Sequence, residues 1–283
     1  MTAVDSAIDE WISSLHVDQI SAEHFRGRAQ PGRPNRVFGG LAMGQAVMAA
    51  TRSIADSGFV MRSLHCDFLR AGDPREPIDF QVVATSDGRR FRARRVVARQ
   101  SQTTLFNLLL RLHAPEDGPD HQVAMPTGLP DPLSLTDYPT RLQPHAARLP
   151  DWSSGNLPID LRMIDDGVAD GQRMWLRAVG KLPDEPFLHA CALIYASDMT
   201  LLGSAVVPFG LTWASPGVQM ASLDHSMWFH RPCRADDWML YEQRVLSSES
   251  SRGLVQGQLF GVDGRLLATV MQDGVVRVTS SGG

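Results

Sequence analysis

Residues Phe187 to Val207 read FLHACALIYASDMTLLGSAVV. Nearly every position is small or apolar on all sides of a helical wheel, the pattern of a helix in the middle of a core. Asp198 interrupts it. An unpaired carboxylate is costly in such surroundings. Two readings account for it. Ser197-Asp198 ends one helix and caps the next through backbone N–H groups, or the carboxylate turns into a cleft and does chemistry there.

Outward from this helix the chain breaks into strands bounded by turn residues. Ile159–Met163 and Arg173–Val179 precede it; Val218–His230, Trp238–Leu246, Gly253–Phe260 and Leu266–Arg277 follow. The first half repeats that order. Val37–Ile54 (VFGGLAMGQAVMAATRSI) opens on Gly39-Gly40 and continues as a helix of small residues. After it come strand-like runs at Met61–Arg70, Ile78–Thr85, Arg90–Arg99 and Thr104–Leu112, punctuated by Gly72-Asp73-Pro74 and Asp87-Gly88. Upstream lie an amphipathic helix over Val4–Leu15, with Val4, Ile8, Trp11, Ile12 and Leu15 at helical spacing, a strand within His16–Arg28 and a loop at Pro31–Arg36.

Residues Ala114–Pro158 hold nine of the 18 prolines and little periodicity, so they read as a linker laid along the surface. The predicted division is therefore a first unit over 1–113, a linker over 114–158 and a second unit over 159–283. Phe68-Leu69-Arg70 and Phe229-His230-Arg231 occupy matching places in the two units. A long helix wrapped by an antiparallel sheet is a hotdog unit. The expected fold is thus α+β, a double hotdog of two tandem units, with the sheets joined and the helices on opposite sides.

Composition narrows the function. The chain is 43% hydrophobic and 20% charged with a net charge of −4, which argues against a nucleic-acid or anionic-membrane surface binder. Cys66, Cys191 and Cys233 are odd in number and far apart, so neither a disulfide framework nor a metal spacing is expected. A reducing, cytoplasmic setting fits them. The N-terminal stretch is acidic without an apolar core, so no signal peptide is expected, and Ser280-Ser281-Gly282-Gly283 is not a peroxisomal address. No run is expected to cross a bilayer, because the Phe187–Val207 run carries Asp198 and His189.

The motifs of a nucleophile elbow, a dinucleotide fold, a P-loop and a zinc site are absent, so no cofactor and no metal is expected. What remains is acid–base chemistry by carboxylate, amide and hydroxyl groups, assisted by backbone N–H donors. Ser222 opens SLDHSMWFHRP and Gln272 sits in VMQDGVVR, each polar among apolar neighbours. Their plainer readings are a strand-edge hydroxyl and a solvent-facing amide. His225 and His230 invite a metal or triad reading but lack a third ligand or a serine in a recognisable motif.

Six stretches together carry a resemblance: VFGG through GQA at Val37–Ala46, SLHCDFLRAGD at Ser63–Asp73, DGRRFRARRVVARQ at Asp87–Gln100, YASDM at Tyr195–Met199, SLDHSMWFHRP and MQDGVVR. They cover both halves in order and resemble the type II acyl-CoA thioesterases, the double-hotdog thioesterases. The resemblance implies hydrolysis of fatty acyl-CoA to fatty acid and CoA, with a water held by Asp198, Ser222 and Gln272. It also implies acyl-CoA and CoA as partners and association of copies into a homo-oligomer. A positioned general base contributes roughly 10²–10⁴-fold, and each oxyanion donor about 10²–10³-fold. Gly39 and Gly40, at a helix N-terminus and without a Cβ, are the expected oxyanion donors.

Relatives often carry His where this chain has Arg62, and Thr where it has Ser222, whose hydroxyl remains but whose rotamer is less fixed. His65 matches a common family His, for which binding and packing roles both stand. Arg90, Arg92 and Arg94 alternate on one strand face with Arg95 on the other, either as a dock for CoA phosphates or as a solvated face. Met43, Met48, Met199 and Trp228 are expected acyl-pocket walls or core. Two other readings compete. A hotdog enoyl-CoA hydratase needs His five residues after its Asp, where this chain has Gly203. A non-catalytic acyl-CoA-binding protein has no need of the buried carboxylate.

Overall fold

The computed structural model describes residues 3–30, 36–54, 58–143 and 157–279. The side chain of Val4, most of the Pro31–Arg36 loop and the end of the linker lie outside the described residues. Helix α1 (Ala3–Ser14) buries Ile8 and Trp11, and Leu15 just beyond it, as their spacing requires. Strands β1 (Val17–Gln19) and β2 (His24–Gly27) replace the single strand expected there. Helix α2 (Gly39–Arg52) is followed by β3 (Val60–Phe68), β4 (Ile78–Asp87), β5 (Phe91–Gln100) and β6 (Thr103–His113). The second half has β7 (Ile159–Ile164), β8 (Gly171–Ala178) and α4 (Pro186–Thr200). It continues with β9 (Val218–Ser222), β10 (Asp224–Phe229), β11 (Met239–Glu249), β12 (Arg252–Gly261) and β13 (Leu266–Val278).

The strands form one sheet in the order β1-β2-β4-β5-β6-β3-β10-β13-β12-β11-β8-β7, with β9 paired beside β13. The order is a palindrome: each half contributes the same arrangement, and the halves meet where β3 runs antiparallel to β10, Ser226 opposite His65. The repeat is also visible in single bonds. Leu69 and Arg70 both donate to the Leu105 carbonyl, while His230 and Arg231 both donate to that of Leu267. This is the tandem hotdog architecture of an α+β chain.

One expectation fails. The helices do not sit on opposite sides; α2 and α4 pack antiparallel against each other inside the sheet. A Cβ on Gly40 would lie 3.1 Å from the Tyr195 Cα, and one on Gly44 would lie 3.8 Å from the Cys191 Cβ. The alanines and glycines of α2 and the alanines of α4 are what let the two axes approach. One continuous apolar cluster runs through both halves, including Met43, Val47, Leu64, Leu193 and Met227.

The opening stretch also differs in detail. It forms α-helix to Thr200, then a 3-10 helix over Leu202–Phe209 that ends on Gly210 in the left-handed region, φ 68°. Contrary to expectation, Pro186–Phe209 is long and apolar enough, by length and composition alone, to cross a membrane. Its most apolar window is 78% buried in the fold, so it is the core helix. Linker residues 114–143 hold a 3-10 turn at Pro132–Ser134 and a short helix α3 (Tyr138–Leu142). They lie against the second half: Trp175 donates to the Pro130 carbonyl at 3.0 Å, and Met125, Leu129 and Leu135 pack on Trp175, Leu240 and Phe260.

Candidate active site

Asp198 lies in the last turns of α4, its side chain 6% exposed. The helix continues unbroken past it, so Ser197-Asp198 is not a break. Ser197 instead bonds back to the Ile194 carbonyl at 3.0 Å. Asp198 does cap a helix, but that helix is α2. The α2 N-cap residue, Phe38, offers no side-chain acceptor. Asp198 Oδ2 takes the Gly40 N–H at 2.7 Å, from the other half of the chain. An acceptor at this position satisfies one of the four orphan donors of a helix N-terminus.

The other carboxylate oxygen faces β13. Gln272 Nε2 donates both to Asp198 Oδ1 at 2.9 Å and to Ser222 Oγ at 2.9 Å. Alternation along β13 turns Gln272 inward with Val270, Gly274 and Val276, and Gln272 is fully buried rather than solvent-facing. Its Oε1 is buried without a hydrogen-bond partner. Ser222 ends β9 opposite Gly274. The strand breaks after it, at Leu223, whose N–H bonds the Asp273 carbonyl and whose carbonyl takes the Phe68 N–H. Because the Ser222 oxygen accepts from Gln272, its own proton remains available. A carboxylate and a hydroxyl donor thus converge, joined by the Gln272 amide N–H groups. That set can hold a water, take a proton from it and leave a lone pair for attack.

The glycine pair fits tightly around this group. A Cβ on Gly39 would lie 2.9 Å from Asp198 Oδ2 and 2.9 Å from Phe68 Cζ. The expectation that Gly40 donates to a substrate oxyanion needs correction, since its N–H already belongs to Asp198.

Other expected residues lie elsewhere. His65 is on the outer face of the sheet, where Nδ1 is 3.1 Å from Ser226 Oγ and the ring stands edge-on to Trp228. Burial, then the charge of Arg111, lowers its pKa. Trp228 shares that outer face, so it is not a pocket wall. Arg90, Arg92 and Arg94 form no phosphate stripe. Arg94 is 3% exposed, paired with Asp87 at 2.8 Å and bonded to Ser53 Oγ at 2.7 Å. Arg92 stacks on Phe59, and Arg90 lies 3.6 Å from Glu116. Ser53 follows the C-terminal end of α2, about 20 Å from Gly40 at 1.5 Å per residue. Arg62 donates to the Phe229 and His230 carbonyls, both at 3.1 Å, and so ties β3 to β10.

His225, which lacks a recognisable ligand or triad motif in the sequence, borders the site. It is fully buried, with Nε2 3.1 Å from Ser197 Oγ and Nδ1 3.8 Å from Asp198 Oδ1. The signal was its inward phase with Met227 and Phe229 in DHSMWF. Burial lowers its pKa and outweighs the opposing pull of Asp198 and Asp224, so the ring is neutral. Cys66, opposite His225 on β3, is driven the other way, chiefly by burial and then by the Asp198 charge, and stays a thiol rather than a nucleophile. A cavity of about 410 Å³ lined by Tyr138, Arg141, Thr200, Gly203 and Trp213 contains none of the three converging groups.

Known proteins match both halves of the chain. The profile of the "Acyl-CoA thioesterase" family matches residues 160–275, and that of the "Acyl-CoA thioesterase N-terminal domain" matches residues 27–113. The chain is 36% identical to acyl-coenzyme A thioesterase 8 of Homo sapiens, over 93% of this chain and 88% of that one. It is 32% identical to acyl-CoA thioesterase 2 of Haemophilus influenzae, over 95% and 98%. The crystal structure of acyl-CoA thioesterase II TesB2 from Mycobacterium marinum superposes with a TM-score of 0.80 at 36% identity, covering 97% of this chain and 99% of that one. With the tandem architecture and the matches in both halves, the chain belongs to the acyl-CoA thioesterase family and is a thioester hydrolase.

Proposed function

We propose that this enzyme hydrolyses fatty acyl-CoA to free fatty acid and CoA by direct attack of a water held by Asp198, Ser222 and Gln272. The observation that carries the reading is the Gln272 amide bonded to both Asp198 and Ser222 at 2.9 Å. Asp198 accepts the water's proton as general base. The Ser222 hydroxyl and the Gln272 amide that joins it to Asp198 fix the water's orientation. The carboxylate needs no covalent intermediate: the water oxygen bonds to the thioester carbon, the C–S bond breaks, and the leaving thiolate takes the proton from Asp198 and departs as CoA. The Gly40 N–H acts one step back, holding the base in place.

Thiol release from a panel of acyl-CoAs, read with a thiol reagent, tests this. Release that depends on Asp198 supports it. Addition of water to an enoyl-CoA without thiol release would establish a hydratase instead, and tight binding without turnover a binding protein. The reading extends to a cytoplasmic homo-oligomer that uses neither nucleic acid nor membrane. Exposed Leu109, Trp228 and Leu254 on the outer sheet face support pairing with a second copy, which light scattering checks.

A further inference from the structure

We propose that Arg36 and Arg70 dock the phosphate groups of the CoA moiety at the mouth of the site, an inference that rests on the acyl-CoA hydrolase reading above. A thioester held at Asp198 carries a pantetheine arm that leads outward to a pyrophosphate and a ribose phosphate. Cations that meet them belong on chain leaving the site, not in its centre.

Both arginines are on such chain. The Val37 N–H bonds the Gly72 carbonyl at 2.9 Å, which lays the segments around Arg36 and Arg70 side by side. One of these segments runs directly into Gly39 and Gly40. The other comes from Phe68, whose ring abuts Gly39 and whose N–H bonds the Leu223 carbonyl next to Ser222. Arg36 is three residues from Gly39 and Arg70 two from Phe68, so their backbones stand within about 7–11 Å of the site at 3.3–3.6 Å per residue. Arg36 Nη2 also reaches the Met220 carbonyl at 3.2 Å, on the strand that ends in Ser222.

Their charges are available. Both are exposed, and neither has a carboxylate partner among the described residues; the Arg70 guanidinium bonds the adjacent Leu69 carbonyl, at 2.7 Å. Asp73, three residues after Arg70, is engaged by Arg75 at 2.5 Å and held down to about 2 by that pairing. Asp67 and Asp224 face each other on the outer side of the sheet; Asp224 accepts the Asp273 N–H, and Asp273 pairs with Arg252. Arg90 and Arg94, by contrast, have carboxylate partners. An arginine fork whose donors are still open suits phosphate oxygens.

The test compares one acyl group on CoA and on pantetheine, which lacks the phosphates, in the full chain and in Arg36→Ala, Arg70→Ala and the double variant. The expected result is a rise of about tenfold in KM for acyl-CoA in the double variant, with kcat and the KM for acyl-pantetheine within twofold of the parent. The rise of KM with added salt, present in the parent, should flatten in the double variant. An unchanged KM for acyl-CoA, or an equal rise for both substrates, overturns the assignment. Asp198-dependent turnover of acyl-pantetheine by the parent is a separate readout, so failure of the docking site and failure of the hydrolase reading are distinguishable.

Discussion

Replacing Asp198 by Asn separates the chemical from the structural role of this carboxylate. Asp198 accepts on both oxygens, from the Gly40 N–H at 2.7 Å and from Gln272 Nε2 at 2.9 Å. An asparagine has one acceptor and one donor end, so whichever way it turns, one of those two donors faces another donor. A helix cap contributes about 1 kcal/mol, and a hydrogen bond to a charged group about 1.5–3 kcal/mol. Losing one of the pair should therefore cost about 1–3 kcal/mol, a drop in Tm of several degrees with a single transition retained. The rate should fall far more, by about 10²–10⁴-fold, because no base remains to take the water's proton. Thiol release, a melting curve and acyl-CoA binding by equilibrium dialysis read the three quantities. A variant that retains more than about a tenth of parental turnover refutes the general-base role. If the asparagine variant does not fold, Ser222→Ala is the second arm: it leaves both bonds to Asp198 intact, removes only the hydroxyl, and should cost at least tenfold in kcat.

Three other perturbations probe the same geometry. Gly39→Ala places a Cβ 2.9 Å from Asp198 Oδ2 and from the Phe68 ring; displacing the carboxylate should lower kcat by about 10–100-fold, and a parental kcat would show that the close approach is irrelevant. Arg94→Ala removes the Asp87 pair and the Ser53 bond from a side chain that is 3% exposed; denaturant titration should show a loss of about 2–4 kcal/mol with KM for acyl-CoA unchanged, while a raised KM at full stability would restore a substrate role. His225 is neutral because burial lowers its pKa. Between that lowered value and the ordinary imidazole value of about 6.5, the unfolded chain binds a proton that the folded chain does not. Its contribution is thus complete above that range and lost as pH falls through it, by up to about 1.4 kcal/mol per pH unit. Denaturation midpoints across that range should show a shallower slope in His225→Asn, and identical slopes would exclude the effect.

What the sequence conveyed and what it concealed follow from the range of the interactions involved. Strand and helix positions are written in local periodicity, but the inward phase of Gln272 with Val270, Gly274 and Val276 is settled only by the packing of β13. The resemblance supplied Asp198, Ser222 and Gln272 as a set, and the fold brings them into contact. Arg90, Arg92 and Arg94 misled because period two says only which face a residue takes; the ion pair with Asp87 and the bond to Ser53, 41 residues away, have no local signature. His65 misled for the same reason. Its face of β3 is the outer one, and only the pairing of β3 with β10 reveals that. The helix arrangement was missed because small residues announce close packing without naming the partner, and here the partner of α2 is α4.

The two readings of Asp198, cap and catalyst, were alternatives only while its helix was considered alone. The donor it satisfies is the N–H of Gly40, 158 residues away in the other half, so the proposed base is aligned only when the halves have docked. The repeat explains why the chain needs only one such arrangement. Matching the carbonyls of Leu105 and Leu267, each of which takes two N–H groups, sets Gln272 against Leu110, five residues on in both cases. Matching Leu69 with His230 sets Ser222 against Met61, eight residues back. Leu110 and Met61 are buried apolar residues, 2% and 5% exposed. In the first half these positions fill the core; in the second they carry an amide and a hydroxyl. Duplication thus leaves one half free to supply the helix N-terminus that holds the carboxylate while the other supplies the carboxylate, the hydroxyl and the amide, which is why neither half alone presents the complete site.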